Sequence, residues 1–179
     1  MPTHRTNSFM ERTVVRSLVL LCLVVWLGGL IFFVAVVAPV AFGSLMPMFP
    51  DPAFGVHVAG TMVRHSLLAL HWMGLITGLV MIFLFALERA LRWTRRSMGP
   101  SLVLLCGMLL LTAYSQFSVI PRMEVLRAQA GAAIDQQNSD NPSRAQFNRL
   151  HQLSTQLEGG VLLGGLALMV LLARPEPER

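Results

Sequence analysis

The chain has 179 residues, of which 54% are hydrophobic and 13% are charged. Soluble domains carry charge on about a quarter of their residues, so this composition excludes an ordinary soluble protein. The length leaves no room for a separate soluble catalytic domain beside a membrane unit. The net charge of +5 comes from arginines that lie beside apolar runs, which indicates membrane topology rather than nucleic-acid binding.

Four apolar runs are each long enough to cross a bilayer, which takes about 20 residues of helix. We therefore predict an all-α fold, an integral membrane four-helix bundle that forms a single domain. Helical extensions are expected on the outer side of helices 2, 3 and 4. The predicted spans cover residues 17–42, 66–87, 101–121 and 153–173.

Capping residues and prolines predict where the helices begin and end. Asp51–Pro52 and Asn141–Pro142 each combine an N-cap acceptor with proline at the first helical position. The turn-rich residues 43–51 predict a loop, and residues 53–65 a helical lead-in on the membrane surface. Pro121 predicts a third helix that kinks and continues outside the membrane.

The arginine distribution predicts the orientation of the chain. An even number of spans puts both termini on one side of the membrane. Nine arginines fall on that side and five on the other. The positive-inside rule then places both termini in the cytoplasm, for a multi-pass protein of a bacterial inner membrane.

Two sets of residues resemble a known family. The first set runs Trp26-Leu-Gly-Gly-Leu-Ile-Phe-Phe33 and continues with Ala38-Pro39 and Phe42. The second set comprises Val119-Ile-Pro-Arg-Met123, Arg127, Phe147-x-x-Leu-His-x-x-Ser154 and Leu157. Together they resemble the transmembrane-protein-205-like family (domain of unknown function 4149), whose members are small four-helix membrane proteins. The resemblance implies this fold and gives no substrate.

The chain departs from that family pattern in two places. The family often has asparagine after the leucine of its last motif, where this chain has Glu158. Its second helix usually lacks histidine, whereas this one carries His57, His65 and His71.

Polar residues at the outer ends of helices 3 and 4 form a predicted polar cluster. Its members are Arg122, Glu124, Arg127, His151, Ser154 and Glu158. The predicted boundary lies near Ser154, so Glu158 falls about one turn inside the membrane. An intramembrane acid needs a partner, and we expect it to be Arg122 or His151. The cluster is either functional or a structural pin between helices.

The second helix carries a polar face with heptad spacing, formed by His57, Arg64 and His71. Such a histidine often makes a hydrogen bond to a neighbouring helix. The alternative is haem ligation between His71 and His151.

A set of soft ligands on the outer side would suit copper, although packing also explains its methionines. The set comprises Met46, Met48, His57, Met62 and His65. We therefore expect no cofactor, with haem and copper as alternatives.

The spacing of Gly160 and Gly164 is typical of close helix packing. This face either packs within the bundle or joins two copies of the chain as a homo-oligomer; any other protein partner is unknown. The sequence contains no nucleophile–base pair, phosphate loop, CxxC or HExxH. We expect a non-enzymatic membrane protein, with a permease for small solutes or protons that uses Glu158 as one alternative and a haem or copper protein as the other.

Overall fold

The structure is a computed structural model that describes residues 3–91, 98–130, 134 and 141–174, with only the backbone for residues 3–9 and 130. The described residues form helices and no strand, and four helices are long and apolar enough to cross a membrane. The predicted all-α membrane fold is confirmed. The basic residues 92–96, which contribute to the arginine count, lie outside the described residues.

The four helices are longer than the spans that they contain. The first runs as α-helix over Thr3–Phe32 and continues through π-helical turns at Phe33–Val37 and Ala41–Leu45 to a 3-10 turn at Met46–Met48. The second is Pro52–Ala90; the third comprises Gly99–Tyr114, a π-helical turn at Ser115–Val119 and Ile120–Ala130; the fourth is Pro142–Ala173.

The two predicted N-caps are present. The side chain of Asp51 accepts a hydrogen bond from the backbone N–H of Ala53 at 2.9 Å. The side chain of Asn141 accepts one from the N–H of Ser143, also at 2.9 Å. Each bond satisfies an N–H group that the first helical turn leaves without a partner.

One local prediction is confirmed and one is wrong. Residues 53–65 are the expected helical lead-in, and they form one uninterrupted helix with the second span. The predicted loop at 43–51 is helical as far as Met48. At both places the chain retains helical geometry beyond the apolar run, since backbone hydrogen bonds within a helix do not depend on side-chain polarity.

The helices pack in a ring, in which each contacts the next along the chain and the fourth returns to the first. We call the end that holds residues 10 and 174 the terminal end, and the end that holds residues 48, 52 and 142 the distal end. The buried side chains of Trp26, Leu105 and Met108 belong to one core cluster between these ends.

Small residues let the helices approach closely at this level. The indole of Trp26 lies against Gly74 and Gly78 of the second helix, so closely that a methyl group at Gly74 would collide with it. On the fourth helix, a methyl group at Gly164 would lie 3.0 Å from Cγ of Met108, and Gly160 likewise faces Leu111. Because both glycines face the third helix of the same chain, the Gly160/Gly164 face is used inside the bundle.

Charged residues join three helices at the terminal end. The guanidinium of Arg16 donates a hydrogen bond to the Leu172 carbonyl at 2.9 Å, one of the carbonyls that a helix end leaves unpaired. Glu88 on the second helix is buried, and the charges of Arg12 and Arg16 act on its carboxyl group. A hydrogen bond and nearby opposite charges therefore link helices at this end of the bundle.

The contact between Trp26 and Gly74 gives a test of the packing. We expect Gly74→Ala to lower the stability of the detergent-solubilised protein by about 1–3 kcal/mol, because overpacking forces the indole or the helix to move. Thermal unfolding would measure the change. Gly28→Ala is the matched control, since nothing lies within 4 Å of a methyl group there. A Gly74→Ala protein as stable as Gly28→Ala would contradict this packing.

Candidate functional site: a buried histidine–glutamate pair

His71 lies midway along the second helix and is almost completely buried. Its Nδ1 is 3.0 Å from Oε1 of Gln116 on the third helix. Its Nε2 is 2.6 Å from Oε1 of Glu158 on the fourth helix. One imidazole ring therefore joins three helices.

Glu158 has a second polar partner. The Ser115 hydroxyl donates to the same carboxyl oxygen, Oε1, at 3.3 Å. Ser115, Gln116 and Glu158 are all buried. We call these three residues together with His71 the His71–Glu158 site. Each of its members finds a hydrogen-bond partner in another, as buried polar groups require.

The third helix presents Ser115 and Gln116 on a π-helical turn. This turn covers Ser115–Val119, and the N–H of Ile120 bonds to the carbonyl of Ser115 five residues earlier. Pro121 follows, and it has no N–H to donate to the carbonyl four residues before it. Such turns insert an extra residue into a helix and rotate the side chains that precede it, and they are frequent at functional sites. Here the turn carries both polar residues that the third helix gives to the site.

The geometry of the site suits one shared proton. In the orientation that the Gln116 amide has here, Oε1 accepts and Nδ1 of His71 donates. A hydrogen bond between Nε2 and Oε1 of Glu158 then needs one further proton, held by either atom. With that proton present, the site has no net charge.

One further hydroxyl lies beside the site. Thr112 is on the third helix one turn before Ser115 and Gln116, and it is fully buried. Its Oγ1 has no hydrogen-bond partner among the described residues. The buried polar face of the third helix thus extends about one turn from Ser115 towards the terminal end.

A second set of charged residues lies nearer the distal end, about two turns from His71. Glu124 bridges two arginines: its Oε2 is 2.9 Å from Nη1 of Arg64 and its Oε1 is 3.4 Å from Nη1 of Arg127. The guanidinium of Arg127 also lies over the ring of Phe147, 5.2 Å from its centroid. We call Arg64, Glu124 and Arg127 the distal ion cluster.

The structure divides the predicted polar cluster and corrects the partner of Glu158. Glu124 pairs with Arg127 and with Arg64, whereas Glu158 pairs with His71. Each part of the predicted cluster therefore contacts one residue of the polar face of the second helix. Arg122 is exposed, and the expectation that Arg122 or His151 pairs with Glu158 is wrong. Ser154 is buried one turn from Glu158.

The structure does not bring His71 and His151 together. Both ring nitrogens of His71 face protein oxygens. His151 is exposed and stacks on Phe147. The two histidines predicted as haem ligands therefore face different surroundings.

The residues proposed as soft copper ligands also have other contacts. Met46 packs against Gly55, and Met48 and Met62 are exposed. The Nδ1 of His65 is 2.9 Å from the Thr61 carbonyl, and His57 is half-buried. Among the described residues, no group of three or more His, Cys, Asp and Glu side chains could hold a metal ion.

The sequence patterns place His71 and Glu158 in two separate sets and indicate no role for Ser115, Gln116, Thr112 or Glu88. One signal was present in the third apolar run. Thr112, Ser115 and Gln116 share one helical face, and a cluster of hydrogen-bonding side chains inside a span is itself unusual.

The comparison with protein families gives one match. A family model described as a domain of unknown function (DUF4149) matches residues 21–132. The chain belongs to this family. The match confirms the resemblance to the domain of unknown function 4149. The name transmembrane-protein-205-like does not occur in the family's description. No curated protein and no solved structure matches the chain.

The matched range covers only part of the His71–Glu158 site. It holds His71, Ser115, Gln116 and the whole distal ion cluster, and it ends before the fourth helix. Glu158 therefore lies outside the matched residues. The family description assigns no biochemistry, so the function has to be argued from the site.

The pairing can be tested with a double-mutant cycle. We expect His71→Ala and Glu158→Ala each to lower the free energy of unfolding in detergent by about 2–4 kcal/mol, since each leaves a buried polar group unpaired. The double variant should cost about 1–3 kcal/mol less than the sum. Thermal or denaturant unfolding would provide these values.

The control cycle combines Glu158→Ala with Arg122→Ala, which should be additive because Arg122 is exposed. Additive losses in the first cycle, or a strong coupling in the second, would contradict the observed pairing.

Proposed function

We propose that the protein is a non-enzymatic, proton-linked permease of a bacterial inner membrane, with the His71–Glu158 site as its proton-binding group. The observation that carries this proposal is the 2.6 Å contact between a titratable base and a titratable acid, both buried within helices long enough to span a membrane. Ionisable residues in such positions mark substrate paths and proton relays in many membrane proteins.

The proton count explains how such a site would link a proton to a conformational change. With one shared proton the site is neutral and is compatible with its apolar surroundings. Gain of a second proton leaves a net positive charge, and loss of the shared proton leaves a net negative one. Either charge is costly inside a membrane, so each favours a conformation that exposes the site to water or to a compensating solute.

The third helix supplies an element that could change conformation. Its π-helical turn at Ser115–Val119 holds one residue more than a regular turn and adjoins Pro121. Movement of the extra residue along the helix would rotate Ser115 and Gln116 relative to His71. We infer that this turn links the protonation state of the site to the arrangement of the third helix.

The site offers less support for the other functions. An enzyme would need its acid and base to reach a substrate, whereas the hydrogen bonds of His71 and Glu158 in this structure are made with each other, Gln116 and Ser115. A haem would need a free nitrogen on His71, where both ring nitrogens already face protein oxygens. We therefore favour the permease over the haem and copper alternatives.

Proton movement in proteoliposomes would test the proposal. Vesicles with a trapped pH indicator and a clamped membrane potential would receive pools of amino acids, organic acids, sugars and small peptides. We expect at least one pool to acidify the vesicle interior when the protein is wild type. Glu158→Gln and His71→Asn should reduce the rate at least tenfold, because neither retains a titratable pair.

Arg122→Gln is the control and should keep the wild-type rate, because Arg122 contacts no member of the site. If wild-type vesicles behave like empty ones for every pool, the permease proposal is wrong. If vesicles with the Glu158→Gln protein acidify as fast as those with wild type, the His71–Glu158 site is not the proton-binding group.

We also propose that both termini are cytoplasmic, on the basis of the arginine count. Met10 and Met48 are exposed near opposite ends of the first helix and suit cysteine labelling. In a variant without Cys22 and Cys106, we expect an impermeant maleimide added outside intact cells to label Met48→Cys and not Met10→Cys. The reverse pattern would show that the orientation is inverted.

A further inference from the structure

The surface between the second and third helices combines charge and exposed aromatic rings. The distal ion cluster bridges these two helices at Arg64 and Glu124. Towards the terminal end, Trp72 and Phe117 form an edge-to-face pair with ring centroids 5.9 Å apart. Both rings are more than half exposed, at 51% and 61%.

The distal ion cluster carries a surplus of positive charge. Two guanidinium groups share one carboxylate, which leaves a formal charge of +1. The neighbouring His65 lies 2.9 Å from the Thr61 carbonyl through Nδ1 and 3.4 Å from Nη2 of Arg64 through Nε2. About a quarter of each arginine side chain is exposed, 27% for Arg64 and 23% for Arg127.

The arginines are held in place rather than extended into solvent. Glu124 fixes both guanidinium groups, and Phe147 supports that of Arg127. Gly60 of the second helix lies beside Arg127, since a methyl group there would be in ordinary contact with Nη2 at 3.7 Å. Each guanidinium has five N–H donors, so donors remain for a further acceptor. Planar, fixed guanidinium groups are well suited to bind phosphate oxygens.

The spacing between charge and aromatic rings matches the depth profile of a lipid. Glu124 and Phe117 are seven residues apart on the third helix, which is about 10 Å along the axis. A headgroup layer is about 5–8 Å thick on each side of a bilayer. With this separation, the distal ion cluster lies at the level of the lipid phosphates when the Phe117 ring lies beside the upper part of an acyl chain. Aromatic rings are common at that boundary.

We propose that this surface between the second and third helices binds an anionic phospholipid, with its phosphate on Arg64 and Arg127 and an acyl chain along Trp72 and Phe117. Charge complementarity selects this occupant, because the surplus +1 favours a lipid with a net negative headgroup over a zwitterionic one. The site is independent of the proton chemistry at His71 and Glu158.

Fluorescence quenching by brominated lipids would test the proposal. Subtracting the signal of Trp72→Phe from that of wild type isolates Trp72 from the other two tryptophans. In mixed micelles, we expect brominated-chain phosphatidylglycerol to half-quench this component at about fivefold lower mole fraction than brominated phosphatidylcholine. Arg64→Gln and Arg127→Gln should each remove most of this preference.

Three further variants separate lipid binding from structural damage. Arg122→Gln and Arg149→Gln remove exposed arginines elsewhere and should keep the preference. Glu124→Gln retains both arginines and raises the surplus charge, so it should keep or increase the preference.

Four outcomes would overturn the proposal. Equal quenching by the two lipids in wild type would remove the charge selectivity. Preference retained in both Arg64→Gln and Arg127→Gln would place the site elsewhere. Preference lost equally in the Arg122→Gln control would show a non-specific charge effect. Full relief of quenching by excess glycerol phosphate would assign the arginines to a soluble anion.

Discussion

The fold depends on one requirement, that a carboxyl group and an imidazole inside the bundle satisfy each other. An unpaired ionisable group in hydrocarbon is costly, and removing one member of a buried pair leaves the other without compensation. The contact between His71 and Glu158 joins the second helix to the fourth, and Gln116 and Ser115 add the third. The requirement therefore sets the relative positions of three of the four helices.

The first helix contributes the packing that permits this contact. Trp26 is buried against Gly74 and Gly78 on the same side of the second helix as His71, and Leu27 lies against Gly165 of the fourth helix. Larger residues at these glycines would separate the helices, and a hydrogen bond of 2.6 Å tolerates little separation. The glycines thus keep the helices close enough for the His71–Glu158 hydrogen bond to form. They contribute to the site by setting the distance between helices, since they carry no side chain that could take part in it.

Local signals in the sequence predicted the helices well, since caps and apolar length act within a few residues. The N-cap bonds of Asp51 and Asn141 are examples. The partner of Glu158 could not be predicted in this way. Helical periodicity tells which residues share a face of one helix, and not which neighbouring helix that face meets. Arg122 shares the expected depth of Glu158 but faces outwards. The π-helical turn adds a rotation that a regular period of 3.6 does not include.

The two departures from the family pattern meet in the structure. Glu158 stands where the resembling family often has asparagine, and His71 lies in a helix that usually has no histidine. Either change alone would place a titratable group among apolar helices without a titratable partner. Together they can form a pair that carries no net charge with one shared proton, and such a pair needs no other charge nearby. The side chain of asparagine can accept a hydrogen bond, but it cannot take a proton at neutral pH. Under the proposed function, the acid is therefore the residue that makes this contact between helices a group able to bind and release a proton.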